Sequence, residues 1–190
     1  MSARIAIPAA VLAALLWGLA LLGSCVLLAV YGIARAAVGV AGAAGGIGGP
    51  AIAVYTPSPE AYADIPPAFL SLYLEAAHRY GLDWSVLAGI GRVECDHGRD
   101  PAPSCTVEGQ LNDAGAGGPA QFLVSTWREY GVSASGGVPD MWSPADAILS
   151  MGAYLRAAGA PADYPKAIYA YNHAWWYVAQ VLSWARRYRG

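Results

Sequence analysis

The stretch SVLAGIGRVECDHGR, running from Ser85 to Arg99, puts one carboxylate where chemistry could use it. Leu87, Ile90, Gly91 and Glu94 recur at helical spacing and so share a face, with Val86, Ile90 and Val93 on the adjoining stripe. Arg92 is the only charge between Ser85 and Glu94, which predicts a helix that is apolar on most sides and central to its domain. Glu94 stands at the end of the apolar stripe and near a helix C-terminus, whose dipole disfavours negative charge. Both effects raise a carboxyl pKa. A carboxylic acid held protonated near neutral pH is what a general acid requires, and glycoside cleavage depends heavily on one. The plainer reading is a helix end reaching water. Gly89 and Gly91 each weaken the helix by about 1 kcal/mol relative to alanine, a cost that close approach of another backbone would offset.

Two further segments favour the chemical reading. In NDAGAGGPAQFLVSTW, Asn112 to Trp127, a glycine-dense turn leads into a helix expected to start at Pro119. Its glycines would let a ligand approach backbone amides, and Gln121 would project from the first helical turn. In AIYAYNHAWWYVAQVL, Ala167 to Leu182, aromatic residues surround the polar pair Tyr171–Asn172. Aromatic faces beside amides and hydroxyls suit sugar rings, although Trp175, Trp176 and Trp184 at helical spacing also read as core.

Taken in order, a glutamate at a helix end, then G-A-G-G-P-x-Q-F, then A-Y-N resembles the soluble lytic transglycosylases of glycoside hydrolase family 23. The resemblance covers roughly Ile65 to Tyr188 and implies the lysozyme-like fold shared with goose-type lysozyme. Carried over by residue, it implies Glu94 as catalytic acid, and Gly118, Gln121 and Phe122 as the glycine–glutamine substrate motif. It also implies Tyr171 and Asn172 as the tyrosine–asparagine pair, with the tyrosine hydroxyl reaching the catalytic carboxyl. The chain departs from the pattern at Cys95, where serine is common, and at Ala120, where methionine is common and alanine would leave more room under a sugar.

The implied reaction cleaves the β-1,4 bond between N-acetylmuramic acid and N-acetylglucosamine in peptidoglycan glycan strands. Glu94 protonates the bridging oxygen, and the substrate's N-acetyl group stabilises the developing positive charge. Glu94 then takes the proton of the muramic C6 hydroxyl as that oxygen attacks C1, leaving a 1,6-anhydro end. No metal or organic cofactor is required. Hydrolysis of the same bond is the nearest alternative, and would need a second carboxylate from Asp96, Asp100, Glu108 or Asp113. A wall-binding module without turnover is the second alternative, though it would have no use for the acid. No G-x-S-x-G, G-x-x-x-x-G-K or H-E-x-x-H motif is present. His78, His97 and His173 are scattered and take no catalytic part in this reading, with His97 read as part of a polar helix end.

The positioning elements are short helices opened by proline or a capping residue and closed by glycine. Such units are expected over PPAFLSLYLEAAHRYG, DWSVLAGIGRVECDHG, GPAQFLVSTWREYG, SPADAILSMGAYLRAAG, DYPKAIYAYN and AWWYVAQVLSWARRYR. A long Gly/Pro/Asp-rich loop spans Arg99 to Gly118. No alternating pattern is long enough for a sheet, so the fold is expected to be mainly α. Of three cysteines, Cys25 falls in an apolar run and leaves Cys95 and Cys105 as an even pair. A disulfide is the default in an exported chain; Cys95, His97 and Cys105 as zinc ligands are the weaker option. Such a disulfide would pin the end of the catalytic helix to the long loop.

The chain has 190 residues, 56% of them hydrophobic and 13% charged, with mean hydropathy +0.38. The excess is local, because residues 5–34 carry no charge. That run exceeds the roughly 20 residues needed to span a bilayer and the roughly 7–15 of a signal-peptide core. Three segments follow: 1–35 as membrane anchor or signal, 36–60 as a Gly/Ala/Pro-rich linker, and 61–190 as the lysozyme-like domain behind a transmembrane helix. Rival readings are a small-x-small cleavage site at Ala34–Ala36, a lipoprotein-like LGSC ending at Cys25, and a second pass within 36–59. Arg4 and Arg35 flank the run almost symmetrically and leave its orientation open. Residues 36–190 hold 9 basic against 13 acidic residues, a formal charge of −4, which disfavours nucleic acid as a partner. The expected partners are glycan strands, a membrane through residues 5–34, and cell-wall or secretion machinery. The expected location is a bacterial cell membrane with the domain on the wall side, or secretion if the N-terminal run is removed.

Overall fold

A computed structural model describes residues 55–190; the expected anchor and most of the linker lie outside these residues. Eight α-helices, one 3-10 turn (Asp96–Gly98) and one two-stranded hairpin are the regular elements of the described part. The helices are α1 (Pro59–Asp64), α2 (Pro67–Tyr80), α3 (Trp84–Cys95), α4 (Pro103–Thr106), α5 (Val124–Tyr130), α6 (Pro144–Ala157), α7 (Tyr164–Tyr171) and α8 (Trp175–Tyr188). None is long and apolar enough to cross a membrane.

The helix boundaries follow from local chemistry. Proline occupies the first turn of α1, α2, α4, α6 and α7, where its missing N–H leaves no intrahelical bond unmade. Ser58, Asp83, Ser143 and Asp163 cap their helices by accepting from the backbone N–H of Ala61, Ser85, Asp146 and Lys166. The residue after α2, Gly81, closes it in the left-handed conformation at φ 64°.

Helix α3 forms the centre. Trp84 to Gly91 are all buried, and the helix packs chiefly against α8 and α2, with α6 also touching it. The side chains of Trp84, Val86, Leu87 and Ile90 are at most 3% exposed, each contributing roughly 1.5–3 kcal/mol by leaving water. Gly89 lets α8 approach closely, since a Cβ there would sit 2.6 Å from the Val181 carbonyl oxygen. At Gly91 the close neighbour is a side chain instead, the Tyr73 hydroxyl of α2. Helix α8 buries Tyr177, Val178, Val181, Ala185 and Tyr188 on its inner face.

Two expectations need correction. The segment after the long loop does not become helical at Pro119. Strand β1 (Ala116–Gly117) pairs antiparallel with β2 (Phe122–Leu123), and α5 begins only at Val124. The turn between the strands holds Gly118 and Gln121 at φ 74° and 47°, a conformation a helix start would not tolerate. The ordered packing also begins ahead of residue 61. Ser58 N–H donates to the Tyr188 carbonyl, Gly190 N–H donates to that of Thr56, and α1 lies against α8.

Candidate active site

Glu94 occupies the last turn of α3, one residue before the disulfide between Cys95 and Cys105. That bond joins the helix end to α4 in the long loop, with the two Cα atoms 5.8 Å apart. It removes the zinc option, because both sulfurs are bonded to each other and both nitrogens of His97 have tyrosine partners. Burial pushes the Glu94 carboxyl up to about 7, and the Tyr177 hydroxyl works against this rise by donating to Oε1 at 2.5 Å. Tyr177 is 1% exposed, and burial, then the charge of Glu94, holds its hydroxyl well above the usual tyrosine value. It therefore stays a donor across the physiological range.

The hydroxyl that reaches the acid is thus that of Tyr177, not of Tyr171. Tyr171 closes α7, donates to the Ala120 carbonyl at 2.6 Å, and packs edge-on to Phe122 and Tyr154. It fastens the hairpin to α7. Phe122 is 3% exposed and lies in the same aromatic cluster, so its ring offers no face to a sugar. Ala120 is fully buried, and its methyl group makes no extra room for a ligand.

Gln121 and Gly118 define the hairpin from within. Gln121 Nε2 donates to the carbonyls of Ser104 and Gly118 at 3.0 and 2.9 Å, and its Oε1 accepts from Asn112 Nδ2 at 3.0 Å. Gly118 N–H donates to the Ser104 carbonyl, and a Cβ at Gly118 would lie 2.0 Å from the Met141 carbonyl oxygen. The polar groups of Gln121 and Gly118 find partners in α4, Asn112 and the turn itself, which fixes the loop wall beside the helix end. Cys95 Sγ lies 3.6 Å from the Gly118 carbonyl oxygen, so acid and hairpin share one anchor point. Asn172 follows α7, and its side chain makes no hydrogen bond among the described residues.

Of the other acids in this stretch, Asp96 and Asp100 have partners. Asp96 pairs with Arg92 and with Arg99 Nη2, the latter at 2.6 Å. Asp100 Oδ1 accepts from the Ala102 N–H at 2.8 Å. Glu108 and Asp113 are exposed.

His97 departs most from its sequence reading. It is 1% exposed, sits at φ 54°, and bridges Tyr73 on α2 and Tyr188 on α8. Tyr188 donates to Asp64 Oδ2 at 2.5 Å, so its oxygen accepts from His97 Nε2–H, and Nδ1 accepts from the Tyr73 hydroxyl. Burial holds His97 down at about 4, hence neutral. This chain of bonds clamps the residues after Glu94 between two helices. Neither it nor Tyr177 was singled out in the sequence, although Tyr177, Val181, Ala185 and Tyr188 repeat at the spacing of a buried helix face.

Residues 106–166 match the family model described as the transglycosylase SLT domain. The match identifies the segment from the end of α4 to the start of α7, including the hairpin with Gly118 and Gln121. No curated protein matches the chain. Two solved structures of the Escherichia coli lytic transglycosylase Slt35 are similar, one in complex with bulgecin A and one in complex with calcium. Each is 17% identical with a TM-score of 0.50 and covers 66% of this chain, and the matched part is 75% and 76% of the respective chains. At that identity the likeness establishes the fold alone, which is shared with these Slt35 structures.

Proposed function

We propose that this chain is a peptidoglycan lytic transglycosylase whose acid, and afterwards base, is Glu94. The observation that carries the assignment is the half-buried Glu94 carboxyl at the end of the central helix with the Tyr177 hydroxyl on Oε1, where burial raises its pKa to about 7. Because Tyr177 donates to Oε1, the proton of the neutral acid resides on Oε2, the oxygen left to face the bridging oxygen of a bound strand. Donating that proton leaves a carboxylate that Tyr177 stabilises, and the same oxygen can then accept the proton of the muramic C6 hydroxyl. That oxygen closes onto C1 and no water enters. The pairing of Asp96 with Arg92 and Arg99 weakens it as the water-activating base that hydrolysis would need, which supports this route. Asn172 is the side chain offered to the substrate, with Gly118 and Gln121 shaping the wall behind it.

The uncharged run 5–34 supports a membrane-held enzyme with its catalytic domain on the wall side. The reaction is tested by mass spectrometry of muropeptides released from purified peptidoglycan. Products ending in 1,6-anhydro-muramic acid are expected. Products heavier by one water would make the chain a hydrolase.

A further inference from the structure

We infer that Trp175 and Trp176, with Tyr169 stacked on Trp175, form a glycan-binding platform that carries a peptidoglycan strand away from Glu94. Helix α8 opens with three consecutive aromatics, and the fold treats them differently. Tyr177 is 1% exposed and holds the acid, whereas Trp175 and Trp176 are 63% and 65% exposed. The inner face of α8 is already filled by Tyr177, Val178 and Val181, so packing does not require the two indoles. Their exposure is a cost without a folding return.

The platform is ordered before any ligand arrives. Tyr169 of α7 stacks on Trp175 with ring centroids 4.6 Å apart and planes at 28°, and His173 meets Tyr169 edge-on at 5.6 Å. Trp176 contacts Tyr177 edge-on at 6.0 Å and 82°. Two contacts thus lead from the exposed indole to the carboxyl: Trp176 to Tyr177, and the Tyr177 hydroxyl to Glu94. The indoles are thus tied to the acid through the buried Tyr177, one residue along the same helix.

Charge selects the occupant. No charged residue lies between Lys166 and Arg186, a span that includes the whole platform. Anionic lipid and nucleic acid both call for lysine and arginine beside the aromatics. A glycan strand instead presents neutral pyranose rings whose C–H faces stack on indole, with hydroxyls and N-acetyl groups for Asn172 to meet. The inference rests on the proposed peptidoglycan activity and adds the surface that would hold the strand.

The test uses the full chain and soluble, uncrosslinked glycan strands prepared from purified peptidoglycan. Strand affinity is measured by calorimetry in a Glu94→Gln background, with and without Trp175→Ala and Trp176→Ala, and turnover is measured with Glu94 intact. The double substitution should weaken affinity by about tenfold, the expected scale for two lost aromatic contacts. The effect should fall on the half-saturating strand concentration rather than on the rate at saturation, and Trp176→Phe should recover part of it. Unchanged affinity and unchanged half-saturation would overturn the platform. Unchanged strand affinity with lost partition onto phosphatidylcholine–phosphatidylglycerol vesicles would also overturn it and give the indoles to a lipid surface. If strands bind through the indoles but no chain cleaves them, the platform stands and the proposed activity fails.

Discussion

A carboxyl at the end of a buried helix gives up its proton reluctantly, and at Glu94 the burial outweighs the hydroxyl that opposes it. The acid must be protonated to act, so activity should be highest below pH about 7 and decline as pH rises through that value. Tyr177→Phe removes the donor that lowers this pKa, so the alkaline limb of the kcat/KM profile should move to higher pH. Turnover should also fall about tenfold, because Oε1 would be left without its partner. An unmoved limb would show that Tyr177 does not set the acid's pKa. The place of Glu94 at the end of the central helix was legible because an apolar stripe ending in one acid is a pattern along a single helix. Tyr177 was not, because its reach to Glu94 is set by how α8 packs on α3. The motif tyrosine, Tyr171, lies in the same region but turns its hydroxyl to Ala120.

At the scale of elements, the site depends on fixing the last turn of α3. Three devices hold it: the Cys95–Cys105 disulfide, the His97 chain between Tyr73 and Tyr188, and the Asp96 pairs with Arg92 and Arg99. Replacing both cysteines by serine opens a short loop and should lower stability by about 2–3 kcal/mol. The thermal midpoint and kcat/KM should fall together, whereas equal activity at a lower midpoint would limit the bond to stability. Helix starts and stops were readable because proline, capping side chains and glycine act locally. The hairpin was not, since two-residue strands leave no alternating pattern and the left-handed backbone of Gln121 is held by contacts from α4 and Asn112. His97 reads in sequence as part of a polar helix end, because its burial comes from tyrosines 24 and 91 residues away.

Across the whole described domain, the two ends meet: residues 56–58 pair with the end of α8, and Arg187 reaches Glu60 of α1. Starting the chain at residue 61 rather than 55 deletes the Ser58 cap and this pairing. Urea unfolding should then show a loss of about 1–2 kcal/mol, and an unchanged midpoint would show that α1 only decorates the fold. That boundary is hidden because residues 36–60 read as a Gly/Ala/Pro-rich linker, whereas residues 56–58 pair with the far end of the chain. The central α3 was foreseen, since a helix apolar on nearly every side has to be covered by others. The most direct test of Glu94 as the acid is the rate of muropeptide release from purified peptidoglycan by the wild-type chain beside Glu94→Gln, with strand binding measured on both. Glu94→Gln should bind strands as the wild type does and release products at least ~100-fold more slowly; release within a few fold of the wild-type rate would contradict the assignment.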